Sequence, residues 1–152
     1  MCTSFMGELM TATHNFGVAP IRATSTADTI KAALYLASAT YNASTTAYSA
    51  TGEVSGTNYT AGGVTVTAAT APTATNSSAT AGVAFFTPSA SVAYATVTLT
   101  TAFDTVLFYN STQSNAAISV HTFGSQTITA GTFTLTMPSN TTTTALLRLS
   151  TT

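Results

Sequence analysis

The sequence predicts an all-β fold: a β-sandwich or jelly-roll of about eight to nine short antiparallel strands, with a short N-terminal helix or arm. Three observations lead there. Apolar and polar residues alternate with period two in segment after segment, and Gly, Pro, Asn and Ser separate those segments. Threonine makes up roughly a quarter of the 152 residues, while Lys and Arg together number three. Thr is the β-branched residue that tolerates water, so this composition favours strands over long helices. Residues 1–27 are expected to form the helix and a connecting arm, and residues 28–152 the sandwich domain.

The helix comes first. Phe5, Met6, Leu9 and Met10 fall at helical spacing, and Thr3 or Ser4 offers a hydroxyl cap. A helix this short is marginal alone and must pack on the body or on a neighbouring subunit. The stretch from His14 to Ala27, with Gly17 and Pro20, reads as a connector.

The first strand follows. Ile30, Ala32, Leu34 and Leu36 alternate with Lys31, Ala33 and Tyr35, which predicts a half-buried strand with the lysine and the phenol on its outer face. Thr46 to Val54 is a weaker strand candidate, and Gly52, Gly56, Gly62 and Gly63 mark the region after it as a structured loop. Val64 to Ala68, Gly82 to Thr87 and Ala93 to Thr100 supply further strands. Phe103 to Tyr109 and Ile118 to Phe123 flank the polar segment Asn110-Ser-Thr-Gln-Ser-Asn115, a hairpin pattern. Thr132 to Met137 gives the clearest alternation before Pro138 ends it, and Ala145 to Leu149 closes the domain.

Charge narrows the function. Only 5% of the chain is Asp, Glu, Lys or Arg, the net charge is −1, and Val54 to Phe103 carries no charge at all. Solitary soluble domains average about 25% charged residues, so this surface expects to be covered. Nucleic acid is not an expected partner, because phosphate binding needs clustered Lys and Arg. No apolar run reaches membrane-spanning length, and the first residues lack the pattern of a secretory signal; synthesis and first folding in the cytoplasm are expected. The five N-x-S/T patterns are what so much Ser and Thr produces by chance. Cys2 has no internal partner, and its expected state is a reduced thiol on a frayed end or, in an assembled particle, an intersubunit crosslink.

Reactive side chains are sparse. Asp104 and His121 sit on the two hairpin strands, without a nucleophile-elbow motif to complete a hydrolase site, and a hydrogen-bonded strand histidine is the simpler reading. No enzymatic activity is expected. Metal-ligand spacing and a phosphate loop are both missing from the pattern, so no cofactor is expected. Glu53, the one acid in its loop, is expected to meet solvent, neighbouring backbone amides or a partner's Arg.

The order of parts also carries a resemblance. Thr3-Ser-Phe is followed by Lys31-Ala-Ala-Leu-Tyr35, Ser38-Ala-Thr40, Gly52-Glu-Val-Ser-Gly56, Tyr59 and Gly62-Gly63. Tyr109-Asn-Ser-Thr112, Ser114-Asn115, Phe123-Gly124 and Gly131-Thr-Phe133 complete the series. From Thr3 to Leu149 the chain resembles small virion proteins of tailed bacteriophages. Where the family pattern has a basic residue after Ser114-Asn115 and an acid before Phe123-Gly124, this chain has Ala116-Ala117 and Thr122.

The resemblance implies a capsid decoration or cement protein, bound to the major capsid protein on the outer surface of the head as a homo-oligomer, often a trimer. A tail or fibre-attachment component is the alternative virion role. The expected contact residues are Phe5, Leu9 and Phe16 in the N-terminal segment, and Glu53 and Tyr59 in the glycine-rich loop. A carbohydrate-binding or adhesion module is a third reading, in which Tyr41, Tyr48, Tyr59 and Tyr94 stack on sugars.

Overall fold

A computed structural model describes residues 1–10, 13–14, 16, 27–67, 73–74 and 82–150. The fold is mostly β, as the alternation predicts. Helix α1 spans Thr3–Met10. Seven strands follow among the described residues: β1 (Ile30–Leu36), β2 (Val64–Thr65), β3 (Thr73–Ala74), β4 (Val83–Phe86), β5 (Val92–Asn110), β6 (Ala116–Leu135) and β7 (Leu147–Ser150). They form two antiparallel sheets, in the orders β2-β1-β5-β6 and β3-β4-β7.

The expected set of eight to nine short strands is corrected to fewer strands, two of them long. β5 and β6 run for 19 and 20 residues and pair along their whole length. The predicted segments Ala93 to Thr100 and Phe103 to Tyr109 are two arms of β5. Ile118 to Phe123 and Thr132 to Met137 likewise belong to β6, apart from the last two residues. The turn at residues 111–115 joins the two strands, as the polar segment indicates. Thr46 to Val54 forms no strand, only isolated bridges from Ala47 to Ala116 and from Glu53 to Tyr35. Ala68 lies outside the described residues.

The β5–β6 ribbon bends back on itself. Phe123 and Phe133 are ten residues apart on β6, about 33 Å in straight β-geometry, yet their ring centroids lie 5.3 Å apart. Phe103 meets both rings, at 6.0 and 5.0 Å. The corner falls where the ladder repeatedly shifts register between Tyr94 and Thr105, and where Thr96 (φ 52°) and Ala130 (φ 46°) take left-handed backbone. Bulges of this kind increase local twist and turn a ribbon.

β1 is buried on both faces, which corrects the half-buried expectation. Ala33 and Tyr35 are as inaccessible as Ala32 and Leu34. The strand's free edge is closed by its own chain: Leu36 N–H donates to Gly52 O, Val54 N–H to Leu34 O and Val66 N–H to Ile30 O. The loop then lies over the tyrosine face, where Tyr35 donates to Ser49 O at 2.7 Å and its ring meets Tyr41 at 3.7 Å. Gly63 makes this approach possible. Its φ is +69°, and a Cβ there would stand 1.7 Å from Ala32 O.

Candidate interaction surface

The N-terminal segment docks on the body instead of trailing from it. Cys2 N–H donates to Ile118 O at 3.0 Å, and the thiol is fully buried with its pKa pushed up by that burial. The frayed-end reading of Cys2 is therefore corrected, and burial makes the thiol inert. Among the described residues the buried Ser4 Oγ has no hydrogen-bond partner, so it does not cap the helix.

Phe5, Leu9 and Phe16, expected to touch a partner, converge here. Phe5 packs edge-on to Phe16 at 5.9 Å, and Phe16 packs on Phe86 of β4 at 5.0 Å. Phe5 is 2% and Phe16 7% exposed, so these rings hold α1 onto the small sheet and are not themselves open surface. Above them lies an apolar cavity of about 70 Å³, lined by Met1, Leu9, Phe85 and Leu149 among others. Met1 and Leu149 are the exposed large hydrophobic residues among those described, at 38% and 39%. Of the three residues expected here, Leu9 keeps partial access, beside the exposed Met1 and Leu149 at the rim.

His14, the first residue of the expected connector, is buried. Its Nε2 lies 2.6 Å from Glu8 Oε2, and its Nδ1 lies 3.0 Å from Asn110 Nδ2. Asn110, fully buried, also donates to Asp28 Oδ2 at 2.7 Å, while its Oδ1 accepts the backbone N–H groups of Thr112 and Gln113. Two residues that looked scattered in the sequence, His14 and Asp28, thus meet through one amide, and Glu8 joins them through His14. Asn110-Ser-Thr signals the turn, but nothing local signals a histidine 96 positions away.

Glu53 and Tyr59 form a second cluster. Glu53 Oε1 accepts from the Tyr59 hydroxyl at 2.7 Å and from Gly62 N–H at 2.8 Å, and Oε2 accepts from Tyr48 at 2.7 Å. Of the alternatives for this acid, the neighbouring backbone amide is realised, and two phenols join it. Tyr59 accepts in turn from Leu34 N–H, Tyr109 donates to Gly62 O, and Tyr94 donates to Ala32 O. Tyr48 stacks on Tyr109 at 4.7 Å and Tyr59 on Tyr94 at 5.9 Å. Burial, reinforced by the bonded Glu53 carboxylate, pushes the Tyr48 and Tyr59 hydroxyls far above the usual phenol range. Each ring proposed for sugar stacking packs against another tyrosine: Tyr41 against Tyr35, Tyr48 against Tyr109, and Tyr59 and Tyr94 against each other. Tyr94 is 2% exposed, and the Tyr41 hydroxyl is held by Thr51 O at 2.9 Å.

On the hairpin, His121 bonds Ser119 Oγ at 3.0 Å, the residue alternation places on its face, and packs edge-on to Phe108. Burial lowers its pKa below the usual value, with the N-terminal charge adding to the effect. Asp104 accepts from Thr105 Oγ1 at 2.7 Å, and across the ladder His121 faces Val106.

The outward face of the ribbon completes the surface. Thr100, Thr101, Thr127, Thr129, Thr132 and Thr134 are all exposed, and no Asp, Glu, Lys or Arg lies between Asp104 and Arg148. Comparison with protein-family models, curated proteins and solved structures finds no match to this chain.

Proposed function

We propose that this chain is a structural virion protein of a tailed bacteriophage, a decoration protein that binds the outside of the head and bridges subunits of the major capsid protein. The observation that carries the reading is the long β5–β6 ribbon, in which Asp104 is the one Asp, Glu, Lys or Arg and whose exposed face is almost entirely hydroxyl, amide and methyl groups. Such a face keeps its contacts at salt concentrations that screen ion pairs, and repetition over a shell makes weak individual contacts sufficient. The exposed Met1 and Leu149 at the α1 groove add an apolar anchor. The resemblance from Thr3 to Leu149 supports the same role. The reading includes a homo-oligomer, with a trimer favoured by that resemblance.

It also includes the finer architecture. Folding the β5–β6 ribbon across a bulged corner sets its two arms against each other, which is how strands pass between the layers of a β-sandwich or jelly-roll.

The test is the copy number of this chain in purified virions, measured by quantitative mass spectrometry against the major capsid protein. Decoration predicts abundance comparable with the shell subunit and retention through a high-salt wash. A copy number far below the shell subunit would move the protein to the tail or a fibre-attachment vertex, and absence from the particle would end the virion reading.

A further inference from the structure

We propose that the free edge of β6 at residues 131–135 pairs antiparallel with the same edge of a second copy, joining two sheets across a two-fold axis. The inference rests on the homo-oligomer in the proposed function and names its interface. β6 is an edge strand of 20 residues. Its first residues are covered, since Ala117 N–H donates to Thr46 O and Ile118 O accepts from Cys2 N–H. From Ser119 onward it forms a ladder only with β5 among the described residues. Ala130, at φ 46°, turns its N–H to Thr98 Oγ1, and the regular edge begins after it. The other edge strands among the described residues are short: β2 and β3 have two residues each, and β7 has four and carries Arg148. Short length, charge and proline are the usual means of keeping an edge from pairing, and β6 has no Asp, Glu, Lys, Arg or Pro.

Burial is incomplete on the same edge. Across the ladder Phe133 faces Tyr94 and Leu135 faces Val92. The two β5 residues are at most 4% exposed, whereas Phe133 and Leu135 are only partly buried. One more strand beside β6 closes them over as β6 closes β5. Its occupant must offer an extended backbone, apolar side chains in need of cover and no charge to desolvate. β6 itself offers all three. Centred on Phe133, self-pairing sets that ring opposite its own counterpart and sets Thr132 opposite the counterpart of Thr134, each pair on one face. Aromatic pairs and threonine pairs both stabilise directly opposed positions. Five residues span about 17 Å, an ordinary strand length but a narrow contact, so pairing is weak singly and strengthened by repetition.

Sedimentation of the full chain up to about 1 mM, with hydrogen exchange read by mass spectrometry on the same samples, tests this. Self-pairing predicts dimers, in which amides of residues 131–135 exchange more slowly as concentration rises. Thr132 and Thr134 are exposed, so Thr132→Lys with Thr134→Lys leaves the fold intact and sets lysine opposite lysine across the axis. The dimer should then weaken about tenfold at low salt and partly recover at high salt, with circular dichroism unchanged. A chain that stays monomeric, a trimer as the sole assembly, or a dimer whose edge amides exchange at the monomer rate refutes the inference, whatever the lysine variant does. Indifference of a folded lysine variant also refutes it. A monomer whose edge is protected only on purified particles gives the edge to a strand of another virion protein, and so overturns self-pairing. A trimer held together elsewhere leaves the homo-oligomer and the decoration role standing; an edge-paired dimer absent from virions leaves this contact standing without that role.

Discussion

Asn110 donates through Nδ2 to Nδ1 of His14, and the amide cannot turn over. Its Oδ1 is held by the Thr112 and Gln113 amides, and its second Nδ2 hydrogen is directed at Asp28 Oδ2. His14 therefore carries its hydrogen on Nε2, facing Glu8. A single buried side chain thereby joins the hairpin turn, the start of β1 and the N-terminal arm.

Removing that side chain breaks all three attachments at once. Asn110→Ala is expected to lower stability by about 2–4 kcal/mol, because buried partners lose their hydrogen bonds and a cavity remains. Asn110→Asp is expected to cost more, since it sets a second carboxylate against Asp28 and removes both donors. Urea denaturation of the three proteins measures this. An Asn110→Asp protein as stable as the parent would show that the network contributes nothing.

Glu53 anchors its loop by accepting three hydrogen bonds. Glu53→Ala leaves the Tyr48 and Tyr59 hydroxyls and Gly62 N–H without their acceptor, an expected loss of about 2–4 kcal/mol. Glu53→Gln retains one oxygen and should lie between. Thermal unfolding ranks the variants, and an order with Ala above Gln would contradict the geometry.

The same cluster sets the alkaline limit. Tyr35, Tyr48, Tyr59, Tyr94 and Tyr109, five of the six tyrosines, have pKa values raised above the ordinary value near 10, chiefly by burial. Folded tyrosines then hold protons that unfolded ones release, so their contribution is complete below about pH 10 and is lost as pH rises through the folded values. Phenolate absorbance followed together with circular dichroism should show most of the ionisation coinciding with unfolding. Ionisation of five phenols in a still-folded protein would exclude this.

His121 acts at the other end of the scale. Its pKa is lowered from about 6.5, so beneath that value the unfolded chain binds a proton that the folded chain does not. Stability from this group is intact above about pH 6.5 and declines as pH falls toward the folded value. His121→Gln should flatten that decline, as read from denaturation midpoints across the acid range; an unchanged slope would assign the acid sensitivity elsewhere.

Two glycines separate conformational need from mere presence. Gly63→Ala puts a Cβ into Ala32 O at a positive φ, and is expected to cost at least about 3 kcal/mol or to abolish folding. Gly124→Ala meets open space, and should change stability by less than about 1 kcal/mol. Expression yield and melting temperature distinguish them.

Alternation placed β1, the two arms of β5 and of β6, and the hairpin turn, because side-chain direction repeats every two residues whatever lies beyond the strand. Helical spacing located α1, while the meeting of Phe5 with Phe16 from the connector was decided by the tertiary structure. Alternation misjudged Tyr35 and Ala33, since a strand buried on both faces looks half-buried when Lys31 shares the polar phase. Nor did it show that Ala93–Thr100 and Phe103–Tyr109 are one strand, because a bulged corner carries the same Thr-rich composition as a turn. The pairings of Glu53 with Tyr48 and Tyr59, and of Asn110 with His14, were decided by tertiary structure alone. Composition specifies how many donors and acceptors must be satisfied; which of them meet depends on where the packed loops and the docked arm bring them.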